Sequence, residues 1–167
     1  MSEQLYYGIQ LMFLAAVLVP ASLWDIKTKT ISNWVPFSLL VGKIILFLLL
    51  LAIWWRKKHE INGFFTSMAY DEFFTTAVGL ILALLILVPC RLLVKEGLGM
   101  GDVKLLLALA VYLGATLFLR ALALMSLIAL LITGVLLATK RITREESLPF
   151  APFISVGAAL SCLIRII

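Results

Sequence analysis

Long apolar runs alternate along the chain with short polar or charged stretches. When the runs are divided at charged and turn-rich positions, six segments remain, each near the roughly 20 residues that a helix needs to cross a bilayer. They cover residues 5–24, 34–55, 73–94, 103–119, 121–139 and 149–167. The connections are short, so little sequence is left for a separate soluble domain. We therefore predict an all-α fold, a polytopic membrane protein with six transmembrane helices in one bundle and a single domain over residues 1–167.

Composition narrows the class of protein. The chain is 63% hydrophobic and its mean hydropathy is +1.14, values that a soluble domain of this size could not carry on its surface. Its net charge of +5 raises the question of a nucleic-acid partner. The basic residues, however, are scattered over the ends of the polar connections and form no stripe. We predict membrane lipids as the surroundings and no nucleic-acid partner.

The distribution of Lys and Arg predicts the orientation in the membrane. With the N-terminus outside, eight of these residues fall on the cytoplasmic side and five fall outside, in agreement with the positive-inside rule. The basic cluster 56–58 argues against this orientation. We predict a multi-pass protein of the inner or plasma membrane, whose connections 25–33 and 95–102 face the cytoplasm.

An acid follows three alternating glycines near the start of the fourth segment, where residues 97–102 read Gly-Leu-Gly-Met-Gly-Asp. An ionisable group at the mouth of an apolar segment marks a candidate functional site, because burying its charge is costly. Gly99 and Gly101 lack side chains, so another chain can approach the backbone beside Asp102. The same residues have a second interpretation, since an Asp before an apolar helix is a good N-cap that accepts backbone N–H groups.

A second acid, Asp25, lies on the same predicted membrane face. It opens the connection between the first two segments, and Trp24 and Trp34 bracket that connection as aromatic anchors at headgroup depth. Its alternative interpretation is a solvated loop acid paired with Lys27 or Lys29, a contact that contributes little to stability. Two acids at one membrane edge make a stronger candidate site than either acid alone.

Other polar residues have simpler interpretations. Lys43 lies roughly two to three turns inside the second segment, where its side chain either faces the bundle interior or snorkels to the headgroups, and we expect snorkelling. Residues 56–72 form the longest polar connection, and His59, the only histidine, is expected to be solvated there. Pro149 and Pro152 should make the start of the sixth segment locally non-helical.

Together these residues resemble the motifs of the type IV prepilin and preflagellin peptidases, which are GxGD intramembrane aspartyl proteases. Three ordered motifs carry the resemblance: Asp25 with Ile31-Ser32-Asn33, Gly99-Met100-Gly101-Asp102 with Val103-Lys104, and Leu148-Pro149-Phe150-Ala151-Pro152-Phe153. The resemblance spans about the whole chain, and the family also has six helices. The departures are mild, because Ser32 stands where the family often has proline and Ala151 where it has glycine.

The resemblance implies an aspartic endopeptidase that cleaves the leader peptide from pilin-like precursors, with Asp25 and Asp102 as the catalytic pair. The positions implied as substrate-binding or supporting are Gly99, Gly101, Lys104, Asn33, Pro149 and Pro152. Many bacterial members carry a further N-terminal portion with four cysteines, associated with N-methylation of the trimmed pilin. This chain is expected to resemble the short form that lacks the N-methyltransferase portion.

The residue types also fit an aspartyl mechanism. Two facing carboxylates can share one proton because their like charges cannot both ionise cheaply, so that one acts as a base on water and the other as an acid toward the carbonyl. The chain offers no Ser–His or Cys–His pairing for competing protease classes. Cys90, Cys162 and His59 do not have the spacing of a zinc site. We therefore predict neither a metal nor a cofactor.

Helix dipoles suggest roles within the pair. Asp102 stands at the start of a helix, where negative charge is favoured, whereas Asp25 follows the C-terminal end of another helix, where it is disfavoured. We expect Asp102 to activate water and Asp25 to hold the shared proton, within a coupled pair. The expected substrate is a single-span precursor with an apolar helix behind the cut and a basic leader, which Glu96, Glu145 or Glu146 would attract.

A different class stays open from the residues alone: a small membrane transporter, or a pilus or secretion assembly subunit without protease activity, whose acids cap helices and bind cations. A transporter would be expected to place polar groups near the middle of the bilayer, often at broken helices. Here both acids lie at one membrane edge and only Lys43 lies well inside, which favours the peptidase.

Overall fold

The computed structural model describes residues 3–56, 64–93, 99–140 and 149–166. These residues form six α-helices and no strand, which confirms the all-α prediction. The helices are α1 (Glu3–Thr28), α2 (Trp34–Arg56), α3 (Phe64–Leu93), α4 (Met100–Leu113), α5 (Ala115–Ala138) and α6 (Ala151–Ile166). His59 and the acids Glu96, Glu145 and Glu146 lie outside the described residues, so what the sequence predicts for them stays a prediction.

Four of these helices are long and apolar enough to cross a membrane, over Tyr6–Thr28, Trp34–Ala52, Tyr70–Leu93 and Ala115–Ala138. The other two are short, since α4 has 14 residues and α6 has 16. At about 1.5 Å per residue they extend roughly 21 and 24 Å, less than the ~30 Å of a bilayer's hydrocarbon core. Over the described ranges the fold is that of a helical membrane protein with four candidate spans, two fewer than the sequence predicts.

The joint between α4 and α5 lies at Gly114 and contradicts the predicted joint around Arg120. Gly114 has φ 75° and ψ 173°, a backbone conformation that glycine adopts readily and other residues do not. Its N–H still closes the last turn of α4 on Ala110 O, at 2.9 Å. A Cβ on Gly114 would lie only 3.1 Å from the hydroxyl oxygen of Thr75 in α3. Backbone geometry and close packing set this boundary, whereas the prediction relied on the position of a charge.

Two helices extend into predicted connections. Helix α1 continues to Thr28, so Asp25 lies in its last turn and not in a loop. Lys29 directly follows the last helical residue, has φ 52° and donates its N–H to Asp25 O at 2.7 Å. Helix α3 begins at Phe64 and contains residues 64–72, which the sequence analysis assigns to the polar connection. Polar residues therefore do not show where these two helices end. Inside a helix the backbone groups bond to one another, whatever the polarity of the side chains.

The helices group into two compact units. Unit 1 comprises Met1–Ser32 and Leu117–Ile167, and unit 2 comprises Asn33–Thr116. In unit 1, α1 packs against α6, and α6 approaches α5 so closely that a Cβ on Gly157 would lie 2.7 Å from Met125 Cβ. In unit 2, α4 packs against both α2 and α3. The assignment of one domain to the whole chain stays a prediction.

A buried charge joins the helices of unit 2. Lys43 of α2 is 7% exposed and forms an ion pair with Glu72 of α3. Its Nζ also donates to the carbonyl oxygen of Tyr112 at 3.1 Å. Tyr112 lies in the last turn of α4, where carbonyl groups have no acceptor role within the helix. The predicted snorkelling of Lys43 is therefore wrong, because partners on α3 and α4 hold the ammonium inside the unit.

Lys43→Met should destabilise the protein by about 3–5 kcal/mol, because it removes the ammonium from a largely buried carboxylate. The double variant Lys43→Met/Glu72→Gln should recover a large part of this loss, since neither charge of the pair is left. Thermal unfolding of the purified protein in detergent measures both variants, with Lys27→Met at an exposed position as the control. Equal losses in the single and double variants would contradict the pairing.

Candidate functional site

Asp25 is held by two helices of unit 1. It lies in the last turn of α1 and is only 4% exposed. Its Oδ2 accepts a hydrogen bond from the backbone N–H of Ala151 at 3.1 Å. Ala151 is the first residue of α6, and the N–H groups in the first turn of a helix have no acceptor within that helix. The carboxylate of α1 therefore caps the start of α6.

Pro149 and Pro152 flank the donor that Asp25 uses. Pro149 and Phe150 are non-helical, as predicted, but Pro152 lies inside the first turn of α6, where its missing N–H costs no bond. Because a proline ring fixes φ, the two prolines restrict the backbone on either side of Ala151. They thereby restrict the direction of the N–H that Asp25 accepts.

Two serines join the same pair of helices, and the sequence analysis does not identify them. Ser22 Oγ lies 2.5 Å from Ser155 Oγ. Each hydroxyl also lies within hydrogen-bond distance of the carbonyl oxygens of Leu18 and Ala151. Ser22 stands three residues before Asp25 and Ser155 four residues after Ala151, so both lie one turn from the Asp25 hydrogen bond. The sequence signal for these two serines is a hydroxyl residue in an apolar helix, one helical turn away from a motif residue.

Asp25 lies at the ends of two helices whose dipoles act on it in opposite directions. The C-terminal end of α1, its own helix, disfavours negative charge. Asp25 also contacts the N-terminus of α6, where the dipole and the Ala151 N–H favour negative charge. Helix dipoles therefore do not distinguish the roles of Asp25 and Asp102, and the expected assignment of base and acid stays a prediction.

Asp102 lies in the first turn of α4, in unit 2, and is half-buried. The N-cap of α4 is Gly99, which has no side chain to cap the helix. Asp102 stands three residues further on, so it is not the N-cap residue. Instead the carboxylate lies over Gly99, because a Cβ on that glycine would be 3.0 Å from Asp102 Oδ2. Gly101, also half-buried, lies between them in the first turn. Gly99 thus leaves the space that the carboxylate occupies.

Asn33 and Lys104 meet in unit 2. Lys104 Nζ donates to Asn33 Oδ1 at 3.2 Å, and both residues are exposed. Asn33 directly precedes α2, and Lys104 lies one turn into α4. The hydrogen bond therefore ties the beginnings of these two helices together. The roles expected of both residues, substrate binding or structural support, stay predictions.

The eight predicted site residues thus fall into two groups. Asp25 lies with Pro149 and Pro152 in unit 1, around the Ala151 N–H. Unit 2 contains the other five, which are Asn33, Gly99, Gly101, Asp102 and Lys104. Among the residues that the structure describes, no three His, Cys, Asp or Glu side chains group as metal ligands would.

The model of the type IV leader peptidase family matches residues 12–139, which is most of the chain and includes both Asp25 and Asp102. No curated protein and no solved structure matches the chain significantly. The family match agrees with the resemblance carried by the motifs around these two acids. The chain therefore belongs to the type IV leader peptidase family.

Proposed function

We propose that this chain is an aspartic endopeptidase that cleaves the leader peptide from pilin-like precursors at the cytoplasmic face of the membrane, with Asp25 and Asp102 as its catalytic pair. Membership of the family implies a peptidase. The observation that carries the aspartic assignment is the hydrogen bond from Ala151 N–H to Asp25 Oδ2, which joins the first and third motifs. A solvated loop acid would need no such buried partner.

In the proposed reaction the two carboxylates share one proton. The ionised carboxylate takes a proton from water as the water oxygen attacks the scissile carbonyl carbon, and the other acid donates its proton to the carbonyl oxygen. When the tetrahedral intermediate collapses, the C–N bond breaks and the leaving nitrogen takes a proton from the acid that is now protonated. The other carboxylate takes a proton from a hydroxyl group of the intermediate, so the pair again holds one shared proton. Because Ala151 N–H engages Oδ2 of Asp25, Oδ1 is the oxygen that we assign to proton exchange.

We further propose that α4 and α6 also enter the bilayer, which would give six membrane-inserted helices. The Lys/Arg distribution supports an N-terminus outside and the two acids on the cytoplasmic side. Asp25 in the last turn of α1 and Asp102 in the first turn of α4 both lie at helix ends, as this topology requires. The expected partners are precursors with a basic leader and an apolar helix, within a lipid environment and without nucleic acid.

The transporter interpretation gains one observation, the buried pair of Lys43 and Glu72 inside unit 2. A transport site needs a charged group that its cargo can reach and exchange. Here the ammonium is already bound to a carboxylate and to the Tyr112 carbonyl, so we assign the pair to the packing of α2, α3 and α4. The peptidase remains the function that we propose.

Asp25→Asn and Asp102→Asn should each lower leader cleavage by at least about 10³-fold, because neither amide can exchange the shared proton. The amount of protein in the membrane should stay unchanged. Leader loss from a co-expressed precursor, followed by mass, measures the effect, and the wild-type pH profile should be bell-shaped. Asp71→Asn is the matched control, since this exposed acid of α3 should be dispensable. Substantial cleavage by either Asn variant would exclude the catalytic pair.

Gly99→Ala should lower the rate of cleavage roughly 10- to 100-fold, because its Cβ would displace the Asp102 carboxylate that lies 3.0 Å away. Backbone strain does not explain such a loss, since Gly99 has φ −61° and ψ 147°, which alanine adopts. Gly134→Ala is the control, because nothing lies within 4 Å of its Cβ position. Equal activity of the two variants would show that the space over Gly99 is irrelevant.

A further inference from the structure

An apolar groove of about 430 Å³ opens on unit 2 and has a basic end. Its walls come mainly from one face of α2 and one face of α4, with Leu80 of α3. The apolar side chains include Pro36, Phe37, Leu40, Leu107 and Val111. Phe37 is 57% exposed and Leu40 is 37% exposed, so the groove is open to the surroundings of the protein. Lys104 and Asn33 line its polar end.

Positive charge concentrates at that end. Within the described part of unit 2, the polar partner of the Lys104 ammonium is the side-chain carbonyl oxygen of Asn33. This oxygen is neutral, so it leaves the positive charge of Lys104 uncompensated there. The N-terminus of α2 begins beside Asn33 and contributes partial positive charge, whereas the N-terminus of α4 already carries the Asp102 carboxylate on another face of that helix. Trp34, 77% exposed, adjoins Asn33, as expected of an aromatic anchor at headgroup depth. The groove therefore fits an amphiphile with an anionic head and an apolar tail.

The groove lies on the side of α4 away from Asp102. Successive residues of an α-helix are rotated by about 100°, so Lys104 points nearly opposite to Asp102, two residues earlier. Leu107 and Val111 follow Lys104 at helical spacing on the groove face. Leu105, which lies closer to the side of Asp102, is fully buried. A precursor helix in this groove would not place its scissile bond beside Asp102.

The shape and lining of the groove suit a thin apolar occupant. Its walls are mainly apolar side chains of α2 and α4, so an acyl chain can follow the groove along these helices.

We propose that this groove is a binding site for an anionic phospholipid of the surrounding bilayer, whose phosphate pairs with Lys104 and whose acyl chain lies between α2 and α4. The proposal rests on the geometry of unit 2 and does not depend on peptidase activity. A basic pocket between membrane helices is a known way to recognise anionic headgroups. The lipid would cover apolar side chains of α2 and α4 and neutralise the charge of Lys104.

The test compares phosphatidylglycerol with phosphatidylcholine of the same acyl chains, titrated onto the detergent-purified full chain and followed by native mass spectrometry. The wild-type protein should bind phosphatidylglycerol about fivefold more tightly, the effect of one basic residue near a lipid surface. Lys104→Gln should abolish this preference, whereas Lys27→Gln, with the same change in net charge, should keep it. Equal effects of the two substitutions would overturn the proposal, because they would reflect net charge alone.

A second pair of variants tests the apolar part. Leu40→Trp should fill the groove and weaken binding of both lipids about fivefold or more, whereas Leu48→Trp, an exposed α2 position outside the groove, should not. Unchanged binding to Leu40→Trp would overturn the proposed acyl-chain position. A photoreactive residue at position 40 should capture lipid. If it captured a co-expressed precursor in place of lipid, the groove would be a protein-docking site and the lipid proposal would be wrong.

Discussion

A carboxylate among apolar helices persists only where another group replaces its hydration, and for Asp25 that group is the start of α6. The hydrogen bond from Ala151 N–H satisfies both partners, because the donor has no acceptor in its own helix and the acceptor is almost fully buried. The prolines on either side of Ala151 restrict the donor. Ser22 and Ser155 hold α1 and α6 together one turn away. These contacts join α1 and α6 around the buried carboxyl group of Asp25.

In unit 2, polar contacts likewise fix the helix that carries an acid, and this helix is α4. Lys104 near the start of α4 bonds Asn33, and Tyr112 near its end accepts a hydrogen bond from Lys43. Both partners belong to α2 or directly precede it, so α4 is tied to α2 at both ends. This fixes the helix that carries Asp102, while Gly99 provides room for its carboxylate. Contacts at both ends of this short helix restrict the position of Asp102 relative to α2.

Sequence patterns predicted the features that depend on nearby residues. The helix class, the bounds of α2 to within a residue and the location of both acids at helix ends follow from apolar periodicity and local polarity. The partners of the buried groups could not be predicted in this way, because they lie far apart in the chain. Ala151 is 126 residues from Asp25, and Tyr112 is 69 residues from Lys43. The break at Gly114 depends likewise on contact with α3, which no local pattern reveals.

The central claim is that the carboxylates of Asp25 and Asp102 act together, and a measurement of their proximity tests it most directly. Cysteines are introduced at positions 25 and 102 of a variant that lacks Cys90 and Cys162. Membranes containing this variant are treated with a short bifunctional thiol reagent, and mass spectrometry identifies the cross-linked peptides. The account predicts efficient cross-linking of this pair and little between positions 25 and 71. Absence of the 25–102 cross-link, with both thiols shown to be reactive, would contradict the catalytic pair.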